Sequence, residues 1–314
     1  MTLADKSETK SGTEHLASQF AAIVGAAHVL SEEMERALYS QDVVQWEAPL
    51  VELVVRPASA DELAGAVRRA GELGLKLAPR GGGLSYSRGY VPEGGGTVLL
   101  DLGRLNRIEE VNEDDRYVTL GSGCTWKEVA DTLKPLGLRT VMAGPISGNF
   151  STVGGAASQN VPGSMDSILG LEVVLADGRI IRTGSSAMRR ATSPFYRNYG
   201  PDLTGLFLGD AGAFGVKTKL TLRIERIPEG VGFASFAFGS LADMATAIVD
   251  VARLGLTVKC FGMDPLKNRT VTKVDLSEGV AMLRDVATGS GTVLRGLKDA
   301  AKLVAVGRDA LDDI

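Results

Sequence analysis

The stretch "LAPRGGGLSYSRGY", at residues 77–90, is the most informative part of this sequence. A short apolar strand runs into three consecutive glycines and then into a polar, aromatic and basic segment. Glycines without Cβ atoms let backbone N–H groups approach and converge on a negative charge. Arg80 and Ser85 add a charge and a hydroxyl. The stretch therefore predicts a loop that holds an anionic group such as a pyrophosphate.

Two familiar phosphate-binding motifs do not fit this loop. A dinucleotide fingerprint needs another glycine three positions after Gly83, where Tyr86 stands, and no helical pattern follows. A Walker loop ends in Gly-Lys-Ser or Gly-Lys-Thr, whereas these glycines lead to Leu84 and Ser85. A glycine-rich surface turn without a ligand stays open as the alternative.

The segments around the loop predict a strand-helix-strand unit. An apolar strand, "VELVVRP" at residues 51–57, precedes a helix whose start is marked by Ser59 and Glu62 in capping-box spacing. The next strand leads into the loop, and the two strands of such a unit run parallel. Thr125 with Glu128 marks a later helix in the same way.

A hairpin and a long strand are predicted further along the chain. Asp177 and Gly178 form the turn of the hairpin "LGLEVVLADGRIIRTG". Val216, Leu220, Leu222 and Ile224 share one face of the strand. From residue 231, "GFASFAFGS", "LADMATAIVDVARLG" and "LTVKCFGMD" predict another strand-helix-strand set with Ser240 as the helix N-cap, and residues 275–314 are predicted to be helical.

A second glycine-rich stretch, "GPISGNFSTVGGAASQNVPGS" at residues 144–164, offers similar chemistry. Small residues alternate there with hydroxyl and amide side chains. Two such stretches about 60 residues apart suit a long, flat ligand better than a single phosphate. Tight packing of small residues between strands is the alternative interpretation of each stretch.

Composition limits the classes of partner. The chain of 314 residues carries a formal net charge of −4, which gives no electrostatic reason to expect nucleic acid or an anionic membrane as partner. Cys124 and Cys260 are not in a metal-ligand spacing, so we expect no metal site and a reducing compartment. The start of the chain lacks the apolar core of a signal peptide. We expect a cytoplasmic protein and leave peripheral docking on a membrane open.

Four ordered segments together resemble a known family. They are "RPASADELAGAVRRAGELGLKLAPRGGGLSYSRGY", "GPISGNFSTVGGAASQN", "LGLEVVLADGRIIRTG" and "DLTGLFLGDAGAFGVKTKLTLRI". In this order and spacing they resemble the FAD-binding domain of the vanillyl-alcohol oxidase / p-cresol methylhydroxylase (PCMH) flavoproteins. Within that family they are most similar to the glycolate oxidase and D-lactate dehydrogenase type. The resemblance covers roughly residues 40–227.

The resemblance implies an α+β fold: a PCMH-type FAD-binding domain of two α+β lobes, followed by an incomplete α/β cap domain. It divides the chain into an N-terminal helical segment (1–40), the FAD-binding domain (41–227) and a partial cap (231–314) that carries substrate specificity. Members of the family usually continue for some 150 residues more. This chain is therefore a fragment, one of two subunits, or a protein that has lost its substrate site.

The resemblance also implies which residues bind FAD. The first loop, residues 80–86, corresponds to the cradle of the FAD pyrophosphate, and the other two segments correspond to further cofactor contacts. The expected FAD-binding residues are Arg80, Gly81, Gly82, Gly83, Leu84, Ser85, Tyr86, Pro145, Thr152, Gly154, Gly155, Asn160, Gly215 and Val216.

The sequence departs from the family in two respects that concern its chemistry. Some relatives attach FAD to a histidine in the first loop, but His15 and His28 both lie in the N-terminal segment, so we expect non-covalent FAD. Cys124 is interpreted as a small buried residue rather than a flavin tether. The relatives' C-terminal histidine motif for a metal is missing. No catalytic base can be named.

The expected function is that of an FAD-dependent oxidoreductase. A small organic substrate, such as a 2-hydroxy acid or an alcohol, gives a hydride to flavin N5, and oxygen, a quinone or a protein accepts the electrons. The alternative is an FAD-binding subunit or fragment that is inactive until a partner chain or a C-terminal region completes the cap. A flavin reductase of the enolpyruvyl type, which oxidises NADPH, is a third hypothesis. The sequence leaves a homo-oligomer open.

Overall fold

The computed structural model describes residues 3–44, 48–141, 144–161, 165–191, 194, 196–198 and 200–263. The chain divides into two compact units, Met1–Gly230 and Val231–Ile314. The first unit holds two lobes, each built around its own sheet.

The first lobe contains a four-stranded sheet with helices on one face. Its elements are α1 (Leu3–Val24), β1 (Val29–Leu30), α2 (Glu33–Tyr39), β2 (Leu53–Val55), α3 (Ala60–Glu72), β3 (Lys76–Arg80) and β4 (Thr97–Asp101). The strand order is β1-β2-β4-β3. Strands β2 and β3 both run parallel to β4, and β1 is antiparallel to β2. The parallel strand-helix-strand unit is confirmed, with β4 inserted between its two strands.

Both faces of this sheet are buried. On one face Leu53 and Leu100 pack with Phe20 of α1 and Leu63 of α3. Helix α3 is amphipathic, and the Ser59 hydroxyl caps it by accepting a hydrogen bond from the Glu62 N–H at 3.1 Å. The Glu62 carboxylate in turn accepts from the N–H of Ala58.

The opposite face of the first sheet is covered by the chain that returns from the glycine loop. There Leu99 packs with Val51, Tyr90 and Val91, and Tyr39 lies against the same cluster. Residues before position 41 therefore contribute to both cores of this lobe. Burial on both faces is typical of a parallel sheet, and it explains the continuous apolar run in β4.

The second lobe contains an antiparallel sheet. Its strands are β5 (Ile108–Asn112), β6 (Tyr117–Gly121), β7 (Leu138–Thr140), β8 (Ile168–Val174), β9 (Ile180–Arg182) and β10 (Val216–Arg226). The order is β5-β6-β10-β8-β9, and β7 pairs with the end of β10. Its helices are α4 (Trp126–Leu133), α5 (Val153–Ser158) and α6 (Leu203–Leu206). The α+β class expected from the sequence is confirmed.

Local signals in the second lobe are confirmed as well. Thr125 and Glu128 form a complete capping box at the start of α4. Gly178 adopts a φ of +78° in the turn between β8 and β9, a conformation that glycine adopts at low cost. The predicted face of β10 is buried, and its Leu220 and Leu222 pack in the core beneath α4 and α5.

The second unit contains one described helix, α7 (Leu241–Leu254). The Ser240 hydroxyl caps it by accepting from the N–H of Asp243, as predicted. The strands predicted on either side of α7 are absent from residues 231–239 and 256–263. Phe233 and Val258 are exposed there, and apolar alternation forms a strand only where another strand supplies a ladder of hydrogen bonds. The helix predicted over 275–314 lies outside the described residues.

None of the described helices is both long enough and apolar enough to cross a bilayer.

Substitution of Leu100 tests the core between the first sheet and helices α1 and α3. Because its side chain is fully buried, Leu100→Ala should lower the free energy of unfolding by about 2–5 kcal/mol. Leu38→Ala removes the same atoms from a side chain that is 62% exposed, and it should change stability by no more than about 0.5 kcal/mol. Urea unfolding followed by circular dichroism measures both. Equal losses in the two variants would show that the β4 core is not packed as described.

Candidate functional site

Three segments of the first unit surround one pocket of about 490 Å³. The first is the glycine loop that follows β3, the second is the segment that leads into α5, and the third is the turn before β10. Because β3 is parallel to its neighbour β4, the loop leaves the sheet at the carboxyl edge of both strands. Ligands of parallel sheets commonly bind at such an edge.

The pocket brings together nearly all of the residues expected to bind FAD. Every one of them except Arg80 and Asn160 lines it. The lining also includes Ser151, one of the hydroxyl residues of the second stretch, and residues that the sequence did not single out, among them Ser122, Gln159, Gly212 and Lys217. Ser122 lies in "GSG" directly after β6, and this small-residue turn at a strand end was a signal that could have been used.

Close contact between the two glycine segments explains why glycines stand at the start of the loop. A Cβ added to Gly82 would lie 1.9 Å from the carbonyl oxygen of Phe150, and one added to Gly81 would lie 2.3 Å from Oγ1 of Thr152. These glycines are therefore required by protein packing. From the sequence, the absence of Cβ atoms was expected to let a ligand approach, with tight packing as the alternative for each stretch. At Gly81 and Gly82 the packing explanation applies.

The same loop nevertheless offers a row of hydrogen-bond donors. Within the described residues, none of the backbone N–H groups from Gly81 to Tyr86 donates to an acceptor in the protein. Most N–H groups of folded proteins are paired, so a run of free donors lining a pocket indicates an acceptor-rich ligand. A phosphate group, with its several acceptor oxygens, satisfies this requirement.

The outer side of the loop is fixed by hydrogen bonds. Oγ of Ser85 accepts from the N–H groups of Ser87 and Gly89, both at 3.2 Å. The Asp42 carboxylate accepts from the Arg88 N–H at 2.9 Å. The Tyr90 hydroxyl donates to the carbonyl of Gly83 at 2.8 Å. The loop is thus held in its conformation by its own residues and by the segment after α2.

The second glycine segment contributes hydroxyl groups rather than backbone donors. The N–H groups of its two adjacent glycines are already paired: that of Gly154 donates to the carbonyl of Ser122, and that of Gly155 to Oγ1 of Thr152. By contrast, the buried hydroxyls of Ser122 and Ser151 have no hydrogen-bond partner in the described part of the chain. Both residues line the pocket. Unpaired buried hydroxyls are costly and indicate a polar ligand.

Arg80 lies beside the pocket instead of lining it. Its guanidinium carbon lies 4.5 Å from the ring centre of Tyr39 and 5.4 Å from that of Tyr90. Asn160 is also outside the lining; it has a φ of +50° just after α5 and lies against Gly209. Asparagine tolerates this left-handed conformation better than most residues, so Asn160 ends the helix.

A buried ion pair joins the turn before β10 to the second residue of that strand. Nζ of Lys217 lies 2.5 Å from Oδ1 of Asp210, and both side chains are almost completely buried. The Asp210 carboxylate also accepts from the N–H groups of Gly212 and Phe214, which is the turn role expected of an aspartate. Burial lowers the pKa of Lys217, while Asp210 opposes that shift. Among the described lining residues, Lys217 has the only charged side chain.

The side chains considered as flavin tethers lie away from the pocket. Cys124 is fully buried in the core of the second lobe, and burial raises the pKa of its thiol to about 12. A thiol with so high a pKa supplies little thiolate, the reactive form, near neutral pH. His15 and His28 are not among the lining residues. In the described part of the chain, no group of three or more His, Cys, Asp or Glu side chains could hold a metal ion.

The pocket residues fit FAD. The unpaired N–H groups and hydroxyls can donate hydrogen bonds to the pyrophosphate and ribose oxygens. The other lining residues are small and largely uncharged, which leaves room for flat rings. The chemistry of the donors therefore agrees with the ligand that the sequence resemblance implied.

Sequence comparison assigns the domain. Residues 51–184 match the model of the FAD binding domain family. Glycolate oxidase subunit GlcD of Bacillus subtilis is 29% identical over 225 residues, which are 69% of this chain and 46% of that protein. D-lactate dehydrogenase of Archaeoglobus fulgidus is 30% identical over 210 residues, 64% of this chain and 45% of that protein. The chain thus spans about half the length of these curated relatives.

Structure comparison supports the fold. A crystal structure of p-cresol methylhydroxylase with substrate bound aligns with a TM-score of 0.66 at 22% identity, over 77% of this chain and 49% of that chain. Together these findings confirm an FAD binding domain over residues 51–184, with FAD as its cofactor, and a fold similar to that of p-cresol methylhydroxylase.

Gly82 tests the contact between the two glycine segments. Because an added Cβ would meet the Phe150 carbonyl, Gly82→Ala should destabilise the protein by about 1–3 kcal/mol. Gly94→Ala is the matched control, since no atom lies within 4 Å of its added Cβ; it should leave the melting temperature within about 2 °C or raise it slightly. Thermal unfolding measures both. An unchanged melting temperature in Gly82→Ala would contradict this packing.

Proposed function

We propose that this chain, which carries an FAD binding domain over residues 51–184, is the flavin-binding part of an FAD-dependent oxidoreductase that acts on a small organic substrate. The substrate class that we favour is the 2-hydroxy acids, with alcohols second. The observation that carries the proposal is that residues 81–86 line the pocket with backbone N–H groups that have no acceptor in the described residues, and that the same lining includes the unpaired hydroxyls of Ser122 and Ser151.

Each part of the pocket has a distinct task in this proposal. The N–H groups of the first loop bind the pyrophosphate, and the hydroxyls of Ser122 and Ser151 hydrogen-bond to further oxygens of the cofactor. The turn before β10 closes the pocket through the Lys217–Asp210 pair. When bound, FAD supplies the hydride acceptor, and the protein orients it and excludes water. The expectation that FAD is bound non-covalently is part of the proposal.

The substrate class rests on the relatives. Two of them are named glycolate oxidase and D-lactate dehydrogenase, and both names refer to 2-hydroxy acids. This chain spans less than half of either protein. Their activity is therefore extended to this chain only as a proposal.

A second candidate is an FAD-binding subunit or fragment that needs another chain for catalysis. One observation favours it: the described lining of the pocket includes no His, Asp or Glu that could serve as general base. In this case the flavin binds to the isolated chain but stays oxidised when substrate is added. The base then comes from a partner chain or from a C-terminal region.

Anaerobic flavin spectroscopy distinguishes the two candidates. The purified protein, loaded with FAD, should show flavin bands near roughly 375 and 450 nm. Bleaching of the 450 nm band by glycolate or D-lactate supports the oxidoreductase. Bound flavin that stays oxidised supports the subunit, and oxidation of NADPH would instead support the enolpyruvyl-type reductase. A protein that binds no FAD contradicts all three.

Acid precipitation tests the mode of attachment. Because Cys124 is buried in the core and no histidine lines the pocket, all flavin should be released into the supernatant when the holoprotein is precipitated. Flavin that stays with the pellet and maps to a peptide by mass spectrometry would contradict non-covalent binding.

Ser122 and Ser151 test the cofactor contacts. Ser122→Ala and Ser151→Ala should each weaken FAD binding by about 2- to 10-fold, since each removes one hydrogen bond to the ligand. Ser18→Ala, on the exposed side of α1, is the control and should leave the affinity unchanged. Quenching of FAD fluorescence measures the dissociation constants. Wild-type affinity in both pocket variants would show that these hydroxyls do not contact FAD.

A further inference from the structure

Arg80 was expected to bind the cofactor, yet its surroundings are those of a packing residue. The guanidinium lies over two aromatic rings, 4.5 Å from the centre of Tyr39 and 5.4 Å from that of Tyr90. Arg80 forms no ion pair with a described carboxylate. A cation held between two rings is stabilised by their π-electrons without an anion.

The Arg80 guanidinium occupies the space that a side chain at Gly83, the last glycine of the loop, would need. A Cβ at Gly83 would lie 2.0 Å from one of its terminal nitrogens, and Gly83 has a φ of +75°. The Tyr90 hydroxyl also contacts Gly83, because it donates a hydrogen bond to the Gly83 carbonyl at 2.8 Å. Arg80 and Tyr90 together therefore set the position of the peptide groups on both sides of Gly83.

The two rings are themselves anchored. The Tyr39 hydroxyl donates to Oδ2 of Asp101 at 3.2 Å, and the same oxygen accepts from Nε of Arg56 at 3.1 Å. The Tyr90 hydroxyl shares its one proton between the carbonyls of Gly83 at 2.8 Å and Gln41 at 3.1 Å. Burial is the main cause that raises the pKa of both tyrosines, so their hydroxyls remain protonated donors at neutral pH.

We propose that Arg80 is a positioning residue, which holds the glycine loop in its donor-exposing conformation by stacking between Tyr39 and Tyr90, and that it makes no charge contact with the cofactor. This inference rests on the proposed FAD binding. The planar guanidinium matters because it fills the gap between the two rings and the Gly83 backbone. Lysine carries the same charge on a compact ammonium and cannot fill this gap.

Two substitutions at Arg80 separate stacking from charge. Arg80→Lys keeps the charge, and Arg80→Gln removes it. Stacking predicts that both variants bind FAD about 5- to 30-fold more weakly, and to a similar degree. Stacking also predicts that the dependence of the dissociation constant on NaCl concentration is the same in Arg80→Gln as in the wild type. Arg179→Gln, in the exposed hairpin turn, is the control and should keep wild-type affinity.

Tyr39 provides an independent test if the Arg80 variants fail to fold. Tyr39→Phe keeps the ring and loses only the hydroxyl, so it should stay within about threefold of wild-type affinity. Tyr39→Leu removes the ring and should weaken FAD binding about as much as Arg80→Gln does. In the double variant Arg80→Gln/Tyr39→Leu the losses should not add, because both changes remove one interaction.

Three results would overturn the proposal. The first is wild-type affinity for FAD in Arg80→Lys together with a loss of affinity in Arg80→Gln. The second is a dissociation constant that depends less on NaCl concentration in Arg80→Gln than in the wild type. The third is an equal loss of affinity in Tyr39→Phe and Tyr39→Leu. The first two would assign Arg80 to a phosphate. All variants are compared with wild-type protein that binds FAD, so failure of this proposal is distinguishable from failure of the proposed function, in which the wild type itself binds none.

Discussion

The contact between the two glycine segments is the constraint on which the pocket depends. Gly81 and Gly82 leave the first sheet and press against Thr152 and the backbone carbonyl of Phe150, which belong to the second lobe. No side chain larger than hydrogen fits at this approach. The contact brings the end of a parallel sheet against the start of α5, and the pocket forms where the two lobes meet.

Packing and ligand binding are divided between different atoms of the same loop. The missing Cβ atoms serve the contact between segments, while the N–H groups remain free for a ligand. This division explains why side-chain hydrogen bonds of Asp42, Ser85 and Tyr90 fix the loop and the residues that follow it. Free backbone donors keep a defined direction only if the chain that carries them is held by other bonds.

Charge has a limited part in this pocket. Lys217, the one charged side chain among the described lining residues, is already paired with Asp210, and the Arg80 guanidinium lies over two tyrosine rings. Neutral donors can stabilise an anion when several converge and the surroundings exclude water, because each dipole then acts in a low dielectric. This arrangement agrees with the acidic net charge of the chain, which left an anion to be held by local groups.

Local patterns in the sequence determined the elements, and several exact details followed from them. The capping pairs at Ser59 and Thr125, the turn at Gly178 and the buried face of β10 each depend on residues a few positions apart. Four ordered motifs were also enough to identify the FAD-binding domain. The strands expected around α7 failed because a strand depends on a partner that local pattern does not supply.

Tertiary structure alone decided what each residue of the glycine segments does. The sequence grouped Arg80 and Asn160 with the ligand-binding residues, whereas the structure places the Arg80 guanidinium over two tyrosine rings and Asn160 just after α5, with neither in the described lining of the pocket. It also exposed the orphaned hydroxyls of Ser122 and Ser151 to the pocket. The physical reason is that such roles depend on contacts between segments distant in the chain, and spacing along the sequence does not contain those distances.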